Sequence, residues 1–353
     1  MLAHGAYILG PEVGEFERRL GEFTGANHVV GCANGTDALV LALRALGVVP
    51  GDAVLVPSFT FCATAEAVVL VGATPVFIDV DAATFSVNAT SMQAGVSFCK
   101  ERRLRLVGII AVDLFGLPEP YHILRPIADG EGMWLLADAA QSIGAADRER
   151  RVGSLTRITT ASFFPAKPLG CYGDGGAVLT TDTEVAKRLR SLRAHGQGTN
   201  KYDSVRIGYN SRLDTVQAAV LLAKLDIFSD ELRRRKMVAD RYAASLGDIV
   251  RVPVVAEGVV SAWAQYTLTL QIGQRDIVAE HLRLAGIPTA VYYSVPLHKQ
   301  TAYQAYPVAG GGLPVSEDLA GRVLSLPMHP YLEADVQDRI VASVRGALTG
   351  HHW

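Results

Sequence analysis

The sequence lacks the marks of several protein classes. No two of its four cysteines, Cys32, Cys62, Cys99 and Cys171, stand in Cys-x-x-Cys spacing, which argues against a zinc knuckle or a dithiol motif. Scattered cysteines in a chain of 353 residues read as reduced thiols, the pattern of a cytoplasmic protein. No apolar run reaches the ~18 residues of a membrane span. The greasiest stretch, residues 53–80, is broken by Pro57, Glu66, Gly72, Pro75 and Asp79. The N-terminus has no basic region followed by an apolar core, so no signal peptide is expected. A strong charge bias is also missing: the formal net charge is −2, which argues against nucleic acid as the main partner. No His-x-x-x-His or His-Glu-x-x-His pattern signals a metal, and His351-His352 is a terminal tract. Neither a Walker loop nor the dinucleotide glycine fingerprint occurs, which weakens ATPase and dehydrogenase readings. Lysine is scarce, with 7 residues against 26 arginines, so each lysine can be weighed individually.

What is present is apolar. The chain is 49% hydrophobic and 19% charged, enough to bury a core, and its length fits about two domains. In the first two-thirds, short apolar runs alternate with helical periodicity. The runs are residues 29–32, 53–56, 75–78, 106–112 and 133–136. Near-continuous apolar runs suit strands buried on both faces, so a largely parallel α/β sheet covered by helices is expected. Residues 213–227 and a second stretch after Ser229 show helical spacing. The charge run Arg233-Arg234-Arg235-Lys236 reads as a solvated helix turn. From Val250 onward the pattern becomes a smaller α+β unit, with an antiparallel strand at 266–272 and a helix at 278–284. The change of pattern puts a domain boundary near 235–250.

Six lysines, Lys100, Lys187, Lys201, Lys224, Lys236 and Lys299, lie in polar or amphipathic settings and read as surface charge. Lys167 differs. Its neighbours in Phe163-Phe164-Pro165-Ala166-Lys167-Pro168-Leu169 are apolar or rigid, and no carboxylate stands within six residues. Poor solvation lowers a lysine pKa, and only the neutral amine attacks a carbonyl. The alternative is a packed stem whose amine reaches water. Asp138 ends an apolar strand, where a buried carboxylate needs a partner. A protonated pyridine nitrogen is one such partner, and helix capping is the alternative. Asp79 has the same local context, so context alone leaves the two equal.

Asn34-Gly35-Thr36 lies between a strand and a helix, a seat for a phosphate. Ser211 and Asp214 have the spacing of a capping box, which would place Arg212 in a first helical turn. An anionic ligand would offset that unfavourable position, as would a surface ion pair. His298, in Val295-Pro296-Leu297-His298-Lys299, is a loop histidine that is either functional or structural.

Together, residues 32–39 (CANGTDAL), 56–61 (VPSFTF), 137–141 (ADAAQ) and 162–177 (SFFPAKPLGCYGDGGA) resemble the DegT/StrS group of nucleotide-sugar aminotransferases. Residues 7–13 (YILGPEV) and 324–331 (LSLPMHPY) extend the resemblance along nearly the whole chain. It implies a fold type I pyridoxal 5'-phosphate enzyme with a mostly parallel seven-stranded sheet. A large cofactor domain (1–240) and a small C-terminal domain (241–353) are expected. It also implies roles. Lys167 would carry the cofactor and move the proton, and Asp138 would pair with the ring nitrogen. Gln141 would lie near the phenolic oxygen, and Phe61 would stack on the ring. Gly35, Thr36 and Ser162 would bind the phosphate. Asn210 would reach the same phosphate from the other subunit of a homodimer.

Residues 162–177 and 201–219 look most like enzymes that aminate UDP-2-acetamido-2-deoxy-3-oxo-glucuronate for bacterial O-antigen synthesis. The implied partners are a nucleotide-linked keto-sugar and glutamate, with Arg212 and His298 as substrate-binding residues. Members of the group generally carry a further segment before the YILGPEV motif, whereas six residues precede Tyr7 here, so a shortened N-terminal region is expected. A dehydratase on the same scaffold would carry histidine in place of Lys167. The remaining rivals are an inactive cofactor binder and a nucleotide-binding protein without pyridoxal phosphate.

Overall fold

The computed structural model describes residues 3–200 and 202–349. Lys201 and the His351-His352 tract lie outside the described residues. The chain begins with α1 (Pro11–Thr24), started by Pro11 and stopped by left-handed Gly25. Strands and helices then alternate: β1 (His28–Cys32), α2 (Gly35–Ala45), β2 (Asp52–Pro57), α3 (Ala63–Leu70), β3 (Thr74–Ile78), α4 (Ala89–Glu101), β4 (Arg105–Val112), α5 (Tyr121–Gly130) and β5 (Trp134–Asp138). Two short strands, β6 (Ala146–Asp147) and β7 (Arg150–Arg151), precede β8 (Ile158–Ser162), β9 (Gly176–Thr180) and α6 (Thr183–Leu192).

Seven strands form one sheet in the order β1-β9-β8-β5-β4-β2-β3. From β8 to β3 every pairing is parallel, and β9 runs antiparallel to both neighbours. The expected mostly parallel sheet is present. Its strands are apolar on both faces for the expected reason. Leu55, Ile78, Ile109 and Ala137 enter one core, while Val54, Phe77, Ile110 and Leu136 enter the core on the other face.

One helix, α7 (Thr215–Leu246), replaces the two read from the sequence. Ser229 interrupts the apolar spacing, but no glycine or proline stands nearby to end the helix. Leu221, Leu225 and Phe228 pack in the main core, and Val238, Tyr242 and Leu246 pack in a third. The basic run is only partly solvated. Arg233 and Arg234 pair with Asp230, and Lys236 pairs with Asp240. Arg235 is 8% exposed and donates to the Trp263 carbonyl at 3.0 Å. One position of a four-residue run must face inward on a helix, which composition alone does not reveal.

The C-terminal part holds β10 (Val259–Val260), β11 (Tyr266–Thr269), α8 (Gln274–Leu284), α9 (Pro314–Ala320), β12 (Val323–Leu326) and α10 (Ala334–Thr349). The expected antiparallel strand is β11, paired with β12. Among the described residues, no helix is long and apolar enough to cross a membrane.

Candidate active site

In an open α/β sheet, ligands collect beyond the carboxyl ends of the strands. Here a cavity of about 510 Å³ opens at that end. Its lining includes Gly35, Thr36, Phe61, Asp138, Gln141, Ser162 and Lys167. Seven of the ten candidate residues therefore share one space.

Asp138 is the last residue of β5 and is 5% exposed. The Thr64 hydroxyl donates to its Oδ2 at 2.9 Å, and the Ala140 N–H to its Oδ1 at 3.2 Å. Burial pushes its pKa above the ordinary aspartate value; these two bonds and the Lys167 charge oppose that shift. Lys167 follows β8 in an irregular turn, its N–H bonded to the Phe164 carbonyl at 2.8 Å. Burial holds its pKa below the ordinary lysine value, against the attraction of Asp138. The surface reading fits other lysines: Lys100 pairs with Glu131, Lys187 with Glu184, Lys236 with Asp240 and Lys299 with Glu317. Lys224 lies over the Tyr172 ring at 4.8 Å.

Gln141 is fixed rather than free. Its Oε1 accepts from the Phe115 N–H at 2.6 Å, and its Nε2 donates to the Tyr293 hydroxyl at 3.4 Å. Phe61 is half-exposed, its ring centroid 6.3 Å from that of Tyr293. Asn34 caps α2 by accepting from the Asp37 N–H at 2.8 Å. Gly35 and Thr36 are the first two residues of that helix, where N–H groups have no intrahelical acceptor. A Cβ on Gly35 would fall 2.7 Å from the Ser162 Cβ, so only glycine permits this close approach.

Three candidates lie outside that lining. Asn210 is exposed, and its Oδ1 accepts from Arg212. The expected capping box is absent. Ser211 Oγ instead accepts from the Ala33 N–H at 3.2 Å, and α7 begins at Thr215 with Asp214 at its N-cap position, making no side-chain cap bond. Arg212 thus precedes the helix, and the dipole argument for an anion there does not apply. His298 is buried, its Nδ1 2.6 Å from Ser58 Oγ and its Nε2 3.1 Å from Glu317 Oε1. Both ring nitrogens are occupied within the chain.

Sequence reasoning missed Thr64, Asp174, Gln265, Tyr292 and Tyr293. Thr64 bonds Asp138, and the other four line the cavity. The paired tyrosines just before the Val295–His298 loop were the available signal for two of them. Asp79, the local twin of Asp138, caps α9: it accepts from the Val315 N–H at 2.9 Å and from the Ser316 N–H at 2.8 Å.

The DegT/DnrJ/EryC1/StrS aminotransferase family model matches residues 1–345. The chain belongs to this family. It is similar to the UDP-2-acetamido-2-deoxy-3-oxo-D-glucuronate aminotransferase of Pseudomonas aeruginosa, at 45% identity over 94% of this chain and 90% of that one. A crystal structure of a DegT DnrJ EryC1 StrS aminotransferase from Brucella abortus superposes with a TM-score of 0.96 and 53% identity, covering 98% of this chain and 93% of that one. NtdA from Bacillus subtilis, determined with bound cofactor PMP, superposes with a TM-score of 0.90 and 29% identity, covering 99% of this chain and 80% of that one.

The residues present fit pyridoxal phosphate. A close-approach glycine beside a helix N-terminus suits a phosphate, a buried aspartate suits a ring N–H, and a poorly solvated lysine suits an aldehyde.

Proposed function

We propose that this aminotransferase moves an amino group from glutamate to the 3-oxo group of a UDP-linked N-acetyl-glucuronate derivative, in the cytoplasm, for surface polysaccharide synthesis. The observation that carries the chemistry is that Lys167 and Asp138 line one cavity, each held off its ordinary pKa by burial. The relationship to the Pseudomonas enzyme supports the sugar.

Pyridoxal phosphate, when bound, supplies an aldehyde that captures amines and a ring that accepts electron density. Gly35, Thr36 and Ser162 would hold its phosphate and Phe61 would cover the ring face. Asp138 would accept the ring N–H and keep that nitrogen protonated. Gln141, braced by Phe115, would orient the ring through its phenolic oxygen. Lys167 Nζ would take a proton from the substrate carbon and return it, as base and then acid. Burial shifts this amine toward its neutral form, the form that role requires.

Asn210 and Arg212 lie outside their own chain's cavity, which supports a homodimer in which each subunit contributes them to its partner. Tyr172, Tyr202 and Ile207, 75%, 91% and 94% exposed, are apolar surface that such a partner would cover. Arg212 would meet the sugar carboxylate. His298 would act on substrate through the loop that it anchors. A division at 1–240 and 241–353 then separates the cofactor-holding part from the part carrying Tyr292 and Tyr293.

The test is an absorbance spectrum of the cofactor-loaded protein before and after glutamate, followed by the keto-sugar. Loss of the visible band with glutamate and its return with the 3-oxo-uronate supports the proposal. Return only with a keto-sugar lacking the carboxylate would replace the substrate. A band indifferent to glutamate would remove glutamate as donor.

A further inference from the structure

Beneath the cavity lies a group of buried acids that the mechanism does not use. Asp113, directly after β4, is fully buried. Its Oδ1 accepts from the Tyr121 hydroxyl at 2.6 Å and from the Glu119 N–H at 2.8 Å. Its Oδ2 accepts from the Ser142 hydroxyl at 2.6 Å. Its own N–H donates to the Asp138 carbonyl at 3.1 Å. Glu119, 2% exposed, accepts from the Val87 N–H. The acidic groups facing Asp113 are thus Glu119 from the segment before α5, Tyr121 from the start of α5 and Asp138 from β5. No cation is among these bonded partners. Burial pushes the Asp113 pKa up to about 6, and Glu119 is pushed well above its ordinary value.

A buried acid without a cation costs stability, so its retention asks for a reason. The bonds supply one. Asp113 holds Asp138 through the backbone and Ser142 through its side chain, bracketing the turn 138–142. Gln141 lies inside that turn and accepts from Phe115, two residues after Asp113. Phe115 has a left-handed backbone with φ 60°, and bulky residues hold that conformation only where neighbours impose it. The two segments are therefore tied at three points: Asp113 to Asp138, Asp113 to Ser142, and Phe115 to Gln141.

We infer that Asp113 is a positioning residue for transamination, setting the turn that aims Asp138 and Gln141 at the cofactor. This rests on the pyridoxal phosphate reading above, and the experiment separates the two. Cofactor affinity and the pH midpoint of the visible band are measured for wild type, Asp113→Ala, Asp113→Asn and Ser142→Ala. Asp52→Asn serves as a control: Asp52 is 1% exposed and accepts from the Val49 N–H at the start of β2, away from the cavity lining.

Asp113→Ala should weaken cofactor binding about tenfold or more and move the band midpoint, because three donors lose their acceptor. Asp113→Asn, which keeps the shape, should recover most of the affinity. Asp52→Asn should lower the melting temperature and leave affinity and midpoint unchanged. Wild-type affinity and midpoint in a folded Asp113→Ala would overturn the inference, as would an equal loss of affinity in Asp52→Asn. If Asp113→Ala does not fold, Ser142→Ala decides: weaker binding with a moved midpoint supports the inference, and wild-type values overturn it. Absence of a visible band in wild type would instead overturn the cofactor reading itself.

Discussion

Asp79 follows β3 and Asp138 closes β5, at the same end of two parallel strands; they are 7% and 5% exposed. Around Asp79, α9 brings two N–H groups and the Ser316 hydroxyl, so the carboxylate is fully engaged inside the chain. Around Asp138, among the described residues, the Thr64 hydroxyl and the Ala140 N–H arrive, and the carboxylate lines a cavity that Lys167 also lines. One aspartate pins the C-terminal part to the sheet, and the other waits for a ligand. The strands that carry them are alike, so the difference comes from segments distant in sequence.

Breaking the comparison at Lys167 should have the largest effect. Lys167→Ala should lower transamination by about 10³-fold or more while the fold stays intact, read from single-turnover rates and circular dichroism. Asp138→Asn should lower the rate by about 10²-fold or more, because an amide does not hold the ring nitrogen protonated. The same substitution should leave the cofactor-free protein as stable or more so. The folded Asp138 pKa is raised, so its contribution is full at low pH and is lost as pH rises past the ordinary carboxylate value. Melting temperatures from about pH 4 to 8 should thus diverge in favour of Asn and then level off.

Asp79→Ala should do the reverse. It leaves the N-terminal donors of α9 unpaired and should cost about 2–3 kcal/mol of stability, with the rate per folded molecule within a few-fold of wild type. Denaturant unfolding and active-site titration would check both. Arg212→Ala should have the smallest effect of the series, raising KM for a uronate about tenfold with little change for a sugar lacking the carboxylate.

Much of the cavity was legible in the sequence because its residues sit at strand ends and tight turns, which local pattern marks. Lys167 stood out by its apolar neighbours, and Gly35 by its place before a helix. The same local view left Asp79 and Asp138 equal, because α9 enters about 235 residues later. It misread Ser211, whose hydroxyl is spent on Ala33 rather than on a helix cap. It split α7 at Ser229, where packing against two cores carries the helix through. Thr64 and Tyr293 escaped notice because each matters only for what it meets across the fold.

The central claim is that Lys167 is the residue that captures the cofactor opposite Asp138. The most direct measurement is borohydride reduction of the pyridoxal phosphate-loaded protein, digestion, and mass spectrometric location of the attached group. Attachment at Lys167 alone is the predicted result. Attachment at any other lysine, or none, would contradict the account.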